Sequence, residues 1–196
     1  MEKKAALVIV DVQNDFCPGG ALAVADGDRI VEPLNRYIAR FTDAGLPIFA
    51  SRDWHPEMTT HFKAFGGPWP AHCVQGTYGA EFHRGLKLGG ESTIVSKGAA
   101  PDSDSYSGFD AVDGAGVGLA DLLNRAGVTR IYVGGLATDY CVKQTVLDGR
   151  QRGFDVVLLK DAVRGVDLNP EDSARALQQM REAGTQMVES VDQCAL

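Results

Sequence analysis

The run Ile131-Tyr132-Val133-Gly134-Gly135-Leu136-Ala137-Thr138-Asp139-Tyr140-Cys141-Val142 reads as a buried strand, a sharp glycine turn and the start of a helix. The strand is expected to end at the glycine pair, and the helix to carry Cys141 in its first turn. Backbone N–H groups at a helix start lack intrahelical partners and carry partial positive charge, so they favour an anion. A free thiol titrates at about 8.5, and such a position lowers that value. The same N–H groups could receive the oxyanion formed when a thiolate attacks a carbonyl. Cys141 therefore has two readings: a nucleophile, or a small buried apolar side chain, the usual fate of a free cysteine.

Outward from this run, short apolar segments alternate with helical patterns. Segments 5–10, 47–51, 92–96, 130–133, 155–159 and 185–188 read as buried strands. Ile30, Val31, Leu34, Ile38 and Phe41 recur at helical spacing, as do Leu119, Leu122, Leu123 and Ala126. Asn169-Pro170 reads as an N-cap followed by proline at the first helical position, and Gly184 as the glycine just past that helix. Strands alternating with helices imply an α/β fold whose parallel sheet is covered on both faces. Such sheets bind ligands at the carboxyl ends of their strands, near a switch in strand order. Asp11, Asp53, Lys97 and the turn before Cys141 all fall at such ends.

Composition bounds the function. The chain has 196 residues, 44% hydrophobic and 23% charged, which suits one domain spanning 1–196 with a sizeable core. A formal net charge of -7, with no basic cluster, disfavours nucleic acid and anionic membranes as partners. The four cysteines, Cys17, Cys73, Cys141 and Cys194, form no Cys-x-x-Cys pair and suggest no disulfide framework, in keeping with a cytoplasmic enzyme. Lys3-Lys4 precedes an apolar run, but Asp11 cuts that run too soon for a signal peptide or membrane span. A homo-oligomer is compatible with the sequence. Gly114-Ala115-Gly116-Val117-Gly118 has the wrong spacing, and no preceding strand, for a dinucleotide loop.

The interval 54–90 lacks periodicity and is rich in Pro, Gly, His and aromatic residues; loops of this length are usually functional. A second irregular stretch, 98–118, is polar, with Asp102, Asp104, Tyr106 and Ser107. Asp53 and His55 leave the second strand as alternate residues, which point the same way on an extended chain. His61 and His72 follow in the same loop, so Asp53, His55, His61 and His72 are candidate ligands of a divalent transition metal with open positions. His83 lies outside that cluster and has no assigned role. Asp11, Lys97 and Cys141 supply a base, a cation and a nucleophile from three strand ends, generalising the Ser-His-Asp arrangement.

The segments Val10-Asp11-Val12-Gln13-Asn14-Asp15-Phe16-Cys17-Pro18-Gly19-Gly20, Asp53-Trp54-His55-Pro56, Trp69-Pro70-Ala71-His72-Cys73-Val74, Lys97-Gly98 and Gly135-Leu136-Ala137-Thr138-Asp139-Tyr140-Cys141-Val142 together resemble the nicotinamidase/pyrazinamidase group of the isochorismatase-like hydrolases. The resemblance runs through nearly the whole chain in order. Family members that hydrolyse isochorismate lack the cysteine, so Cys141 points to an amidase. The resemblance implies a three-layer α/β sandwich with a six-stranded parallel sheet. It also implies hydrolysis of nicotinamide to nicotinate and ammonia in NAD salvage, with pyrazinamide as a further substrate. By the same resemblance Asp11 would take the thiol proton, Lys97 would orient Asp11, and Cys141 would form a thioester. The family's cis peptide maps to Leu136–Ala137, and the N–H groups of Ala137 and Cys141 would form the oxyanion hole. Phe16, Trp69, Tyr106 and Leu136 would line the substrate site. Asp53, His55, His72 and His61 would hold zinc, iron or manganese, which would bind the pyridine nitrogen. Two alternatives stay open: a cysteine amidase acting on a carbamoyl or ureido compound, and a metal- or ligand-binding module without catalysis.

Overall fold

The computed structural model describes residues 4–103 and 105–196; Lys3 and Asp104, noted above, lie outside the described residues. Six parallel strands form one sheet in the order β3-β2-β1-β4-β5-β6. They are β1 (Ala5–Val10), β2 (Ile48–Asp53), β3 (Thr93–Lys97), β4 (Arg130–Leu136), β5 (Asp155–Arg164) and β6 (Gln186–Val188). The helices are α1 (Val31–Asp43), α2 (Leu119–Arg125), α3 (Lys143–Gln151) and α4 (Asp172–Glu182).

Alternation of side chains along β1 sorts the core into two layers. Leu7 and Ile9 pack with Leu34, Tyr37 and Phe41 of α1. Ala6, Val8 and Val10 pack with Leu119, Leu123, Val146 and Met180 of α2, α3 and α4. With both faces covered, β1 is apolar at every position rather than at every second one. The result is the expected three-layer sandwich.

Strand order reverses between β1 and β4, so a crevice opens at their carboxyl ends. Asp11 follows β1, and the Cys141 turn follows β4, which places both at this switch point. The glycine pair does not end β4: the strand continues through Gly134 and Gly135 to Leu136, with a register shift against β5 between Val133 and Gly135. Gly135 has φ +132°, and a Cβ there would run into the Val10 backbone. Only glycine lets the end of β4 press so closely on the end of β1. α4 also starts later than expected. Glu171, in left-handed conformation, precedes it, while Asn169 and Pro170 sit in the preceding turn, where Asn169 O accepts the Asp172 N–H. Gly184 does follow that helix with φ +84°. No helix among the described residues is long and apolar enough to cross a membrane.

Candidate active site

Asp53 and Lys97 are the last residues of β2 and β3, paired in register across the sheet. Asp11 is the first residue beyond β1, at φ +50°, a conformation that side-chain-bearing residues seldom adopt outside functional or tightly constrained positions. These three strand ends converge below Cys141. Lys97 Nζ lies 2.9 Å from Asp11 Oδ2 and 3.5 Å from Cys141 Sγ, and it also pairs with Asp53 Oδ1. Ser51 Oγ donates to Asp11 Oδ1 at 2.7 Å, so Oδ1 is held by the hydroxyl and Oδ2 by the Lys97 ammonium. Oxygens of Asp11 and Asp53 and the Cys141 sulfur all lie within 4.8 Å of one another.

Burial decides the electrostatics. It opposes the charge on Lys97, but Asp11 and Asp53 outweigh it and hold the amine protonated, its pKa raised well above the ordinary value. Burial also raises Asp53, yet Lys97 and the neighbouring His55 hold that carboxyl below the ordinary range. For Asp11 burial is the largest influence and raises the pKa; Lys97 pulls it down, Asp53 adds upward, and the net shift is up. Cys141 corrects a sequence-based expectation. Burial pushes its thiol well up, Lys97 opposes this, and Asp11 and Asp53 add to the rise. The helix start does not deliver a resting thiolate, because two carboxylates and a dry setting outweigh one ammonium. The nucleophile turn itself is π-helical at Thr138–Val142, ahead of α3, and the N–H groups of Tyr140 and Val142 both donate to Ala137 O at 3.1 Å. The Leu136–Ala137 peptide bond is cis, as the resemblance implied.

Beside this cluster, nitrogen atoms of His55, His61 and His72 all lie within 4.8 Å of one another. Asp53 Oδ2 faces two of these imidazoles, at 3.7 Å from His55 Nε2 and 3.8 Å from His72 Nε2. His55 Nδ1 meets Gly98 O at 3.1 Å and His72 Nδ1 meets Pro70 O at 2.8 Å. A carbonyl only accepts, so both Nδ1 atoms carry a hydrogen, and Nε2 is the nitrogen through which each neutral ring could ligate. His55 Nε2 is buried with no hydrogen-bond partner among the described residues. Burial pushes His72 down to about 4, which favours the neutral, ligating form. An orphaned buried nitrogen beside two imidazoles and a carboxylate fits a divalent transition metal ion. Gly98, at φ +64°, is needed here too, since a Cβ would overlap the His55 ring.

A pocket of about 450 Å³, open mouth included, lies between these clusters. Phe16, Trp69, Tyr106 and Leu136 line it, together with Ala137, Cys141, Asp53, His61 and His72. Asp11, Lys97 and His55 lie fully buried around it rather than in its wall. Trp69 Nε1 donates to Tyr106 OH at 2.9 Å, which ties the two irregular stretches together across the pocket. Tyr140, Val166, Leu22, Val24 and Ser105 also line it, and sequence reasoning had not singled them out. Tyr140 stands next to Cys141 and was findable by adjacency, whereas Val166 sits in a loop with no motif. Also missed were Gln13, which bonds the Asp53 backbone in both directions, and Asp15, whose Oδ2 accepts the Cys73 N–H at 2.7 Å. His83 lies apart, in a separate depression with Arg84 and Asp28.

The arrangement matches a known family. The sequence model of the isochorismatase domain covers residues 5–192. This chain belongs to the isochorismatase family. Among family members, the nicotinamidase of Escherichia coli is 40% identical over 203 residues, covering 95% of this chain and 95% of the relative. The pyrazinamidase of Pyrococcus horikoshii, solved in complex with zinc, is 48% identical with a TM-score of 0.88, covering 94% of this chain and 98% of that one. PnC1 from L. infantum, solved in complex with nicotinate, is 36% identical with a TM-score of 0.84, covering 96% of this chain and 93% of that one.

Proposed function

We propose that this chain, acting as one isochorismatase-like hydrolase domain over 1–196, converts nicotinamide and water to nicotinate and ammonia. Pyrazinamide is the second substrate, and the role is NAD salvage in the cytoplasm. The observation that carries this reading is one pocket bordered by a buried Asp11–Lys97–Cys141 cluster and a three-imidazole cluster. The homologous nicotinamidases and the nicotinate- and zinc-bound relatives support it.

Cys141 is protonated at rest, so catalysis starts with a proton transfer. Asp11, buried and paired with Lys97 through Oδ2, takes the thiol proton. The thiolate attacks the amide carbon; a C–S bond forms and the carbonyl electrons move to oxygen. The N–H groups of Ala137 and Cys141 stabilise that oxyanion. Asp11 returns the proton to nitrogen, the C–N bond breaks, and ammonia leaves a thioester. Asp11 then deprotonates water, whose oxygen attacks the thioester carbon; the C–S bond breaks, Asp11 returns its proton to the departing sulfur to restore the thiol, and the acid product leaves as nicotinate after losing its proton to solvent. Lys97 keeps Asp11 in place and offsets its charge at 2.9 Å. Phe16, Trp69, Tyr106 and Leu136 hold the ring.

Asp53, His55, His61 and His72 would hold the metal, with zinc the first choice given the zinc-bound relative. A bound ion would supply a Lewis acid for the pyridine nitrogen, a contact that would help orient the ring. A carbamoyl amidase would have no use for the converging imidazoles. Ammonia release from nicotinamide by the zinc-loaded protein, and its absence in Cys141→Ala, tests the assignment. No release by the unmodified chain would overturn it.

A further inference from the structure

One wall of the pocket comes from the segment that follows β5. Val166 lines the pocket from residues 165–171, which join β5 to α4 and belong to no helix or strand. The N–H groups of Val166 and Asp167 donate to Oδ1 and Oδ2 of Asp139, both at 2.9 Å. Asp139 is buried and stands two residues before Cys141. Two successive N–H groups need two acceptors at fixed spacing, and an ionised carboxylate supplies both with stronger bonds than a neutral oxygen. The far end of the segment is fastened separately, because Asp167 accepts the Ser173 N–H at 2.7 Å and its hydroxyl at 2.9 Å.

The nucleophile turn has fixings of its own. Tyr140 and Val142 donate to Ala137 O, and Thr145 Oγ1 donates to Cys141 O at 2.7 Å. Cutting the Asp139 link therefore releases the wall and leaves Cys141 in place. We propose that Asp139 is a positioning residue that holds Val166 against the ring-binding space. The pocket is thereby limited to single-ring aromatic amides without bulky ring substituents. The inference rests on the amidase reading above and deepens it toward substrate selection.

The test compares the zinc-loaded wild-type protein with Asp139→Ala and Asp139→Asn, using nicotinamide and a ring-methylated nicotinamide. In Asp139→Ala the KM for nicotinamide should rise about tenfold while kcat stays within about threefold, and the preference over the methylated amide should narrow. Asp139→Asn keeps one acceptor oxygen and should fall between, which guards against a misfolded alanine variant. Hydrogen exchange at the Val166 and Asp167 amides should be at least about tenfold faster in Asp139→Ala. A merely structural role would lower thermal stability and leave KM and preference unchanged in folded protein; that result would overturn the proposal, as would a loss confined to kcat. The exchange arm needs no substrate. Inactivity of the wild-type protein on nicotinamide would defeat the substrate assignment, whereas unchanged exchange would defeat the role of Asp139.

Discussion

The carboxyl edge of the sheet and the loop over 54–90 meet in one pocket but are held by different means. Asp53 and Lys97 are fixed by ladder hydrogen bonds between β2 and β3. His61 and His72 sit on irregular backbone fastened by side chains: from outside the loop Asp15 accepts the Cys73 N–H and Gln13 donates to Ala80 O, and within it Gln75 donates to Trp54 O. On the proposed reading the edge would carry the covalent chemistry and one metal ligand, Asp53, while the loop would carry the three imidazole ligands and Trp69. A rigid edge suits a nucleophile whose reaction tolerates little misplacement. A side-chain-pinned loop suits ligands whose final geometry an ion can complete.

The severest break of this contrast removes the nucleophile at the edge. Cys141→Ala should lower kcat/KM by at least about a thousandfold, roughly 4 kcal/mol, with metal content by elemental analysis and melting temperature nearly unchanged. Retained amidase activity would refute its covalent role. The next effect isolates the loop. Benzamide keeps the shape of nicotinamide but lacks the ring nitrogen, so its kcat/KM should be at least about a hundredfold lower, roughly 2.7 kcal/mol. Comparable turnover of the two amides would detach the imidazole cluster from substrate binding.

A smaller effect strikes the loop from beneath. Asp15→Ala removes the acceptors of the Cys73 and Ala21 N–H groups. Zinc affinity by chelator competition should fall about 10–100-fold, while alkylation of Cys141 by iodoacetamide proceeds at the wild-type rate. Equal slowing of alkylation would show that edge and loop are one unit. Smallest of all, Cys17→Ala and Cys194→Ala trim buried thiols away from both clusters. Each should cost about 1 kcal/mol in denaturant unfolding and leave kcat/KM intact.

Legibility in the sequence follows the same division. Apolar runs ending in Asp11, Asp53 and Lys97 announce their place because a buried parallel strand has a sharp polar end. The strand limits at Gly134 and Gly135 and the start of α4 at Asp172 are misread from sequence. There, glycine signs a close approach to β1 rather than a turn, and Asn169-Pro170 shapes a turn rather than a cap. Val166 and Asp139 carry no local signal, since their meeting depends on a 27-residue separation closed only by the fold.

The sequence by itself determined the alternating α/β plan, the chemistry placed at the strand ends, and the clustering of histidines beside Asp53, because periodicity and residue type act locally. Only the tertiary structure decided that Cys141 rests as a thiol. That state arises because burial and two carboxylates from separate strands outweigh a single lysine, a balance no stretch of chain contains alone. It likewise decided which walls close the pocket, because Val166, beyond β5, is held by the Asp139 carboxylate in the turn after β4.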